Sequence, residues 1–269
     1  MREDKIFATL RRARRIWAVA SIHGEAARLA ALHRLIESRF RPGDKLVYLG
    51  NILGRGSDTR AAVDEILRFR TNMLAREGMF ACDIAYLRGS QEEMWQKLLS
   101  LQMAPNPAEV LRWMLEQGME ATLSAYGGSA REGQDLARHG AMAITKWTSR
   151  LRAEMNAAPG HAALFAALKR AAFTAPDEGE GILFVNAGID PSRPLSAQSD
   201  SFWWGLAGFS KIAEPYPGFR RIVRGFDPQH RGILATRYTT GIDAGCGFGG
   251  PLIAACFDRE GNIVEPLEA

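Results

Sequence analysis

Cysteine is scarce in this chain, and its three copies, Cys82, Cys246 and Cys256, are odd in number and far apart. That excludes a disulfide framework and the paired-thiol spacing of a zinc site. A reducing, cytoplasmic setting is the expectation. Long hydrophobic runs are also missing: nothing approaches the roughly 18–20 apolar residues that a membrane-spanning helix needs. The apolar run IWAVASI at 16–22 follows a basic stretch, as in a signal peptide, but it is short and has no small-residue cleavage site. The glycine-rich GIDAGCGFGGPL at 241–252 lacks the Lys-Ser/Thr of a phosphate-binding loop and opens no helix, so turn glycines explain it better. Repeats, low-complexity tracts and an interdomain linker are absent. The 269 residues, 46% hydrophobic, are therefore expected to form one domain with a sizeable core.

What is present alternates. Residues 15–22 read as a buried strand and 24–39 as an amphipathic helix with Ala27, Leu29, Leu32, Leu35 and Ile36 on one face. Pro42, Gly43 and Asp44 turn the chain into a second strand, KLVYLG. A helix through Val63, Ile66 and Phe69 and a third strand, IAYLRG at 84–89, follow. This order predicts an α/β fold with parallel strands. From 91 to 178 the pattern is helical, broken at Pro105, Pro107, Gly127, Gly128, Pro159 and Gly160. Strands return at ILFVNAG, FRRIVRG, GILATRYTTGIDAG and PLIAACFD, and the chain is expected to end in an exposed tail. Net charge is +4, partly from Arg11, Arg12, Arg14 and Arg15 in a basic segment over 1–14 and just beyond. A solvated basic helix face is the favoured reading there, and contact with nucleic acid or an anionic membrane the other.

Five short blocks carry more than pattern: ASIHG at 20–24, LGNILGRG at 49–56, LRGSQE at 87–92, FVNAGIDP at 184–191 and VRGFDP at 223–228. In this order they resemble the blocks GDxHG, GDxVDRG, GNHE, VHAG and GHT of the bacterial phosphoprotein phosphatases, within the calcineurin-like metallophosphoesterases. The resemblance extends over roughly 15–260. It takes in WMLEQGMEATLSAYGG after the third block, and GIDAGCGFGGPL as the family's terminal strand pair with Asp243 kept. It implies an α/β metallophosphoesterase-type β-sandwich of two mixed sheets flanked by helices, a single domain over 1–269 with a helical insertion over 91–178.

The resemblance also implies which positions held the chemistry. Ser21 stands for an aspartate ligand, Asn51 for the bridging aspartate and Gly54 for a second aspartate. Ser90 stands for an asparagine ligand, Gln91 for the histidine acid, and Asn186 and Phe226 for two histidine ligands. His23, Arg55 and Glu92 are retained. The family's second substrate arginine has no clear match in FWWGLAGFSK, where Lys211 is the nearest cation. Two dications about 3.5–4 Å apart repel by on the order of 15–20 kcal/mol at an effective dielectric near 20. Carboxylates offset that repulsion, and here neutral side chains replace them. Gln91 has no proton to give a leaving alkoxide. The expectation is a pseudophosphatase with no metal, no cofactor and no catalytic residues, acting as a binding or regulatory protein.

Arg55, His23, Asn51, Gln91 and Asn186 are the candidate anion site, with a phosphorylated protein or phosphate-bearing ligand as partner. Structural pairing of Arg55 with Asp58 or Glu92, and burial of His23 behind the sheet, are the competing readings. Asp227 and His230 follow the lost fifth ligand, where a surface loop is favoured over a relocated metal site. The alternative function is a diverged phosphoesterase with an altered metal site, acting on phosphoprotein or nucleotide.

Overall fold

Four-residue runs such as IWAV and KLVY are apolar on both faces, so they are stable only where both faces are covered. They become β2 (Ile16–Val19) and β3 (Lys45–Tyr48), every residue buried. The computed structural model describes residues 6–175 and 179–269; the first five residues of the basic segment and the last three of the expected insertion lie outside the described residues. Two sheets pack face to face. The five-stranded sheet runs β11 (Ile263–Glu268), β10 (Ile253–Phe257), β2, β3, β4 (Ile84–Tyr86), with β2, β3 and β4 parallel. The six-stranded sheet runs β1 (Phe7–Leu10), β5 (Ala171–Thr174), β6 (Gly181–Val185), β7 (Phe219–Arg224), β9 (Thr239–Asp243), β8 (Gly232–Ala235).

The main core fills the space between the sheets, where Phe184 of β6 meets Phe257 of β10 edge to face at 5.8 Å. A second core, built on Phe202, Trp203, Phe209 and Tyr216, covers the outer face of the six-stranded sheet. This is a mixed α/β sandwich flanked by helices.

Helix α1 (Ala26–Arg39) and helix α2 (Thr59–Leu74) are both built on buried apolar stripes. Adjacent carboxylates of α2 tie neighbouring elements together. Glu65 lies 2.7 Å from Nδ1 of buried His33, whose Nε2 reaches the Tyr48 hydroxyl at 2.8 Å. Asp64 lies 2.8 Å from Nε2 of His161, whose Nδ1 meets the Tyr126 hydroxyl at 2.7 Å. Asp64 is therefore a packing tie.

The helical region comprises α3 (Ser90–Leu98), α4 (Pro107–Glu116), α5 (Glu120–Ala125), α6 (Ala130–Arg138), α7 (Ala141–Ala157) and α8 (His161–Ala167). Its starts follow local chemistry: Asn106 caps α4 with Pro107 at the first helical position, and Ser129 caps α6.

Three elements differ from the sequence expectations. The described part of the basic segment is not a helix: residues 7–10 form β1, parallel to β5, and Arg11 and Arg12 lie in the turn before β2. Arg15 is spent on Asp44, donating through Nε at 3.0 Å and Nη2 at 2.6 Å. Strand β5 falls inside the range read as helical, where AAFT is too short and too alanine-rich to declare a strand. The expected tail is β11, antiparallel to β10 at the sheet edge, a position that tolerates Pro266. Two short helices, α9 (Ser201–Trp204) and α10 (Leu206–Phe209), follow β6. Among the described residues no helix is long and apolar enough to cross a membrane.

Candidate functional site

The five sequence blocks fall in the loops after β2, β3, β4, β6 and β7, so the fold gathers them at one end of the sandwich. Their backbone is unusual where they meet. His23 and Asn51 have positive φ, 52° and 50°, a region that few non-glycine residues enter and that Asn and His enter most readily. Gly89 follows the third strand because a Cβ there would drive into the Asn51 side chain.

Asn51 is the hub. Its Oδ1 accepts from Ser90 Oγ at 3.2 Å and from the Gln91 amide at 3.1 Å, and its Nδ2 donates to Ser21 Oγ at 3.2 Å. Nearby, Asn186 donates to the Leu49 carbonyl at 2.7 Å, and Gln91 Nε2 donates to the Gln117 carbonyl at 2.9 Å. All five side chains are buried. The retained Glu92 does not face this group. Its two oxygens accept the backbone N–H groups of Gly89, Asn51 and Leu53 at 2.8–2.9 Å, which binds the second and third blocks together. Burial raises its pKa, and the three amides oppose that rise.

His23 is buried with both ring nitrogens unpartnered. Phe226 and Phe248 meet its ring edge-on at 5.9 and 5.3 Å. Burial, with the positive charges of Arg55 and His230 nearby, lowers its pKa to about 3, so the imidazole is neutral. Phe226 is half-buried and packs against His23 and His230. His230 lies with Nδ1 3.0 Å from Asp243 Oδ2, and its ring lies 4.2 Å from that of Phe248.

These side chains do not fit a pair of dications. Asn51, Ser21 and Ser90 satisfy one another, Phe226 offers no donor, and the adjacent carboxylate of Glu92 is turned to backbone amides. Among the described residues no group of three or more His, Cys, Asp and Glu side chains is placed to hold a metal ion.

Arg55 stands apart from the buried amides. It is exposed, its guanidinium lies 4.6 Å over the Phe248 ring, and its stem packs beside Gly118. It lines an open cleft of about 800 Å³ with Ser57, Asp58, Arg60, Glu120 and Ser124. Asp58 caps α2 through the Ala61 amide, and no ion pair of Arg55 with Asp58 or Glu92 occurs among the described residues. The expected anion site thus splits in two: Asn51, Gln91 and Asn186 form an interior network, and Arg55 serves a surface cleft.

Two contributors were not legible as such. Phe248 sits in the glycine loop after β9, where Gly245, Gly247 and Gly249 all take positive φ and bring its ring beneath Arg55. Phe202 and Trp203 are buried, but Trp204 beside them is 38% exposed and meets Trp113 at 5.8 Å.

No protein-family model matches the chain, and no curated protein sequence matches it. Solved structures do. One assigned to a diadenosine tetraphosphatase aligns with a TM-score of 0.53 at 20% identity, covering 98% of each chain. A protein serine/threonine phosphatase from Saccharomyces cerevisiae, with similarity to human phosphatase PP5, aligns with a TM-score of 0.53 at 12% identity, covering 99% of this chain and 84% of that one. At such identities the likeness speaks of architecture alone. Together with the two mixed sheets and their flanking helices, it establishes that this chain has the metallophosphoesterase-type, phosphatase-like fold.

Proposed function

We propose that this chain is a pseudophosphatase: a binding or regulatory protein that keeps the phosphatase scaffold without its hydrolytic chemistry. The observation that carries this reading is the closed hydrogen-bond network of Ser21, Asn51, Ser90 and the Gln91 amide. The side-chain polar atoms of Ser21, Asn51 and Ser90 are turned to one another. A neutral His23 and an amide at Gln91 supply no acid for a leaving group.

Binding is assigned to the open cleft beside Arg55. The guanidinium is held at the mouth by Phe248 with its hydrogen-bonding edges open to solvent-side partners, and Arg60 adds a second positive charge. Planar guanidinium recognition suits a phosphate group. Asp58 and Glu120 on the same walls favour a ligand that also offers donors, such as a phosphorylated peptide, over a bare polyanion.

Elemental analysis of protein purified without chelator and soaked in Mn²⁺, followed by assay with an aryl phosphate, tests the first half. The expected result is no stoichiometric metal and no turnover; two metals per chain with turnover would mean a diverged phosphoesterase. Titration with a phosphoserine peptide tests the second. Arg55→Ala is expected to weaken binding about tenfold, the loss of roughly one charge-assisted contact. Unchanged affinity would move the binding site elsewhere.

A further inference from the structure

Away from the cleft, β7 ends in a buried charge. Strand alternation sends Val223 into the main core and Ile222 and Arg224 to the outer face of the six-stranded sheet. There the Arg224 guanidinium lies 4.3 Å over the Phe209 ring of α10, and the residue is 3% exposed. Its Nη2 forms an ion pair with Asp227 Oδ1 at 3.0 Å. The other oxygen of Asp227 is taken by Nε of Arg231 at 2.7 Å. One carboxylate therefore serves two guanidinium groups. Asp243, the next acid, adds its field at Arg224 but no hydrogen bond: its oxygens accept from the Asp227 and Gly245 amides and face His230.

The shared carboxylate and its two guanidinium groups border a cavity. Arg224, Asp227 and Arg231 line a pocket of about 160 Å³ whose other walls include Phe209, Leu234 and Thr239. Arg224 Nε, although buried, has no hydrogen-bond partner. A buried donor without an acceptor is rare and calls for one. The pocket is too small for a nucleotide or a peptide and large enough for one oxyanion.

We propose that this pocket is a binding site for a small oxyanion, phosphate or a compact carboxylate, held between Arg224 and Arg231. The anion gives the two guanidinium groups that share Asp227 a second hydrogen-bonding partner. It gives Arg224 Nε its acceptor, and Arg231 closes over it from the solvent side. The site is independent of the Arg55 cleft, which lies on α2 and the helical region.

Calorimetric titration of the intact chain with inorganic phosphate and, separately, benzoate tests the assignment, because the two probes separate the two sources of oxyanion. Arg231→Gln removes one of the two guanidinium groups at a half-exposed position, and the fold is checked by circular dichroism. At least one probe is expected to bind wild type and to weaken about tenfold in Arg231→Gln. Binding of neither probe, or binding that Arg231→Gln leaves unchanged, overturns the proposal. Binding lost in Arg55→Ala but kept in Arg231→Gln also overturns it, and leaves the cleft reading standing. Arg224→Lys keeps a charge but loses the side-on fork, so it is expected to weaken binding as well; unchanged affinity there counts against the geometry.

Discussion

Replacing Glu92 by alanine is expected to cost about 4 kcal/mol of folding stability, the largest single loss anywhere in the site. The carboxylate is 3% exposed and accepts three backbone amides, those of Gly89, Asn51 and Leu53. Alanine leaves all three buried without an acceptor, at about 1–3 kcal/mol each. Glutamine gives a sharper reading. Oε2 serves Asn51 and Gly89, and Oε1 serves Leu53. An amide of the same shape keeps one oxygen for the pair and sets its NH₂ against the Leu53 N–H. Glu92→Gln is therefore expected to lose about half as much as Glu92→Ala. Urea unfolding followed by tryptophan fluorescence reads both, since Trp95 lies one helical turn away on α3. Equal losses would show that charge rather than the acceptor count matters. A loss below about 1 kcal/mol for alanine would show that the loops hold without this tie.

That tie also explains why the second and third blocks hold a fixed frame. Glu92 accepts backbone amides instead of joining the Asn51 group, so the glycines and apolar flanks of these blocks are needed whatever side chains stand at Asn51 and Ser90. The frame was legible in the sequence for this reason: Gly50, Gly54 and Gly89 are dictated by close approach to Arg88, His23 and Asn51, and such constraints survive a change of chemistry.

What escaped the sequence was non-local. Strand β1 is four residues whose partner, β5, lies across the whole helical region, and neither segment is long enough to show alternation. Strand β11 was masked by its charge and by Pro266, both of which suit an edge. Arg55 was grouped with Asn51 and Asn186 as one anion site, and no spacing tells that its neighbours at the cleft are Arg60 and Glu120 instead. Arg224 read as the polar end of a strand. Only the register of β7 between β6 and β9 sends it to the outer face beneath Phe209.

The second large effect concerns acid. His23 is buried, unpartnered and flanked by the charges of Arg55 and His230, and its pKa is lowered to about 3. In the unfolded chain an imidazole titrates near 6.5. Between these two values the unfolded state binds the extra proton, so stability rises with pH there. The contribution is complete above about pH 6.5 and is lost as pH falls toward 3. From pH 7 to pH 4 the loss from His23 alone is expected to be about 3 kcal/mol. His33, whose pKa burial also lowers, adds to the same trend, so wild type by itself does not isolate His23. His23→Asn does. Asparagine tolerates the positive φ of 52° at this position and does not titrate. Urea unfolding of both proteins at pH 7 and pH 4 is expected to show the variant losing about 3 kcal/mol less than wild type over that interval. Parallel losses would mean that His23 finds a partner or a route to water in solution, and that the interior around it is open rather than sealed by Phe226 and Phe248.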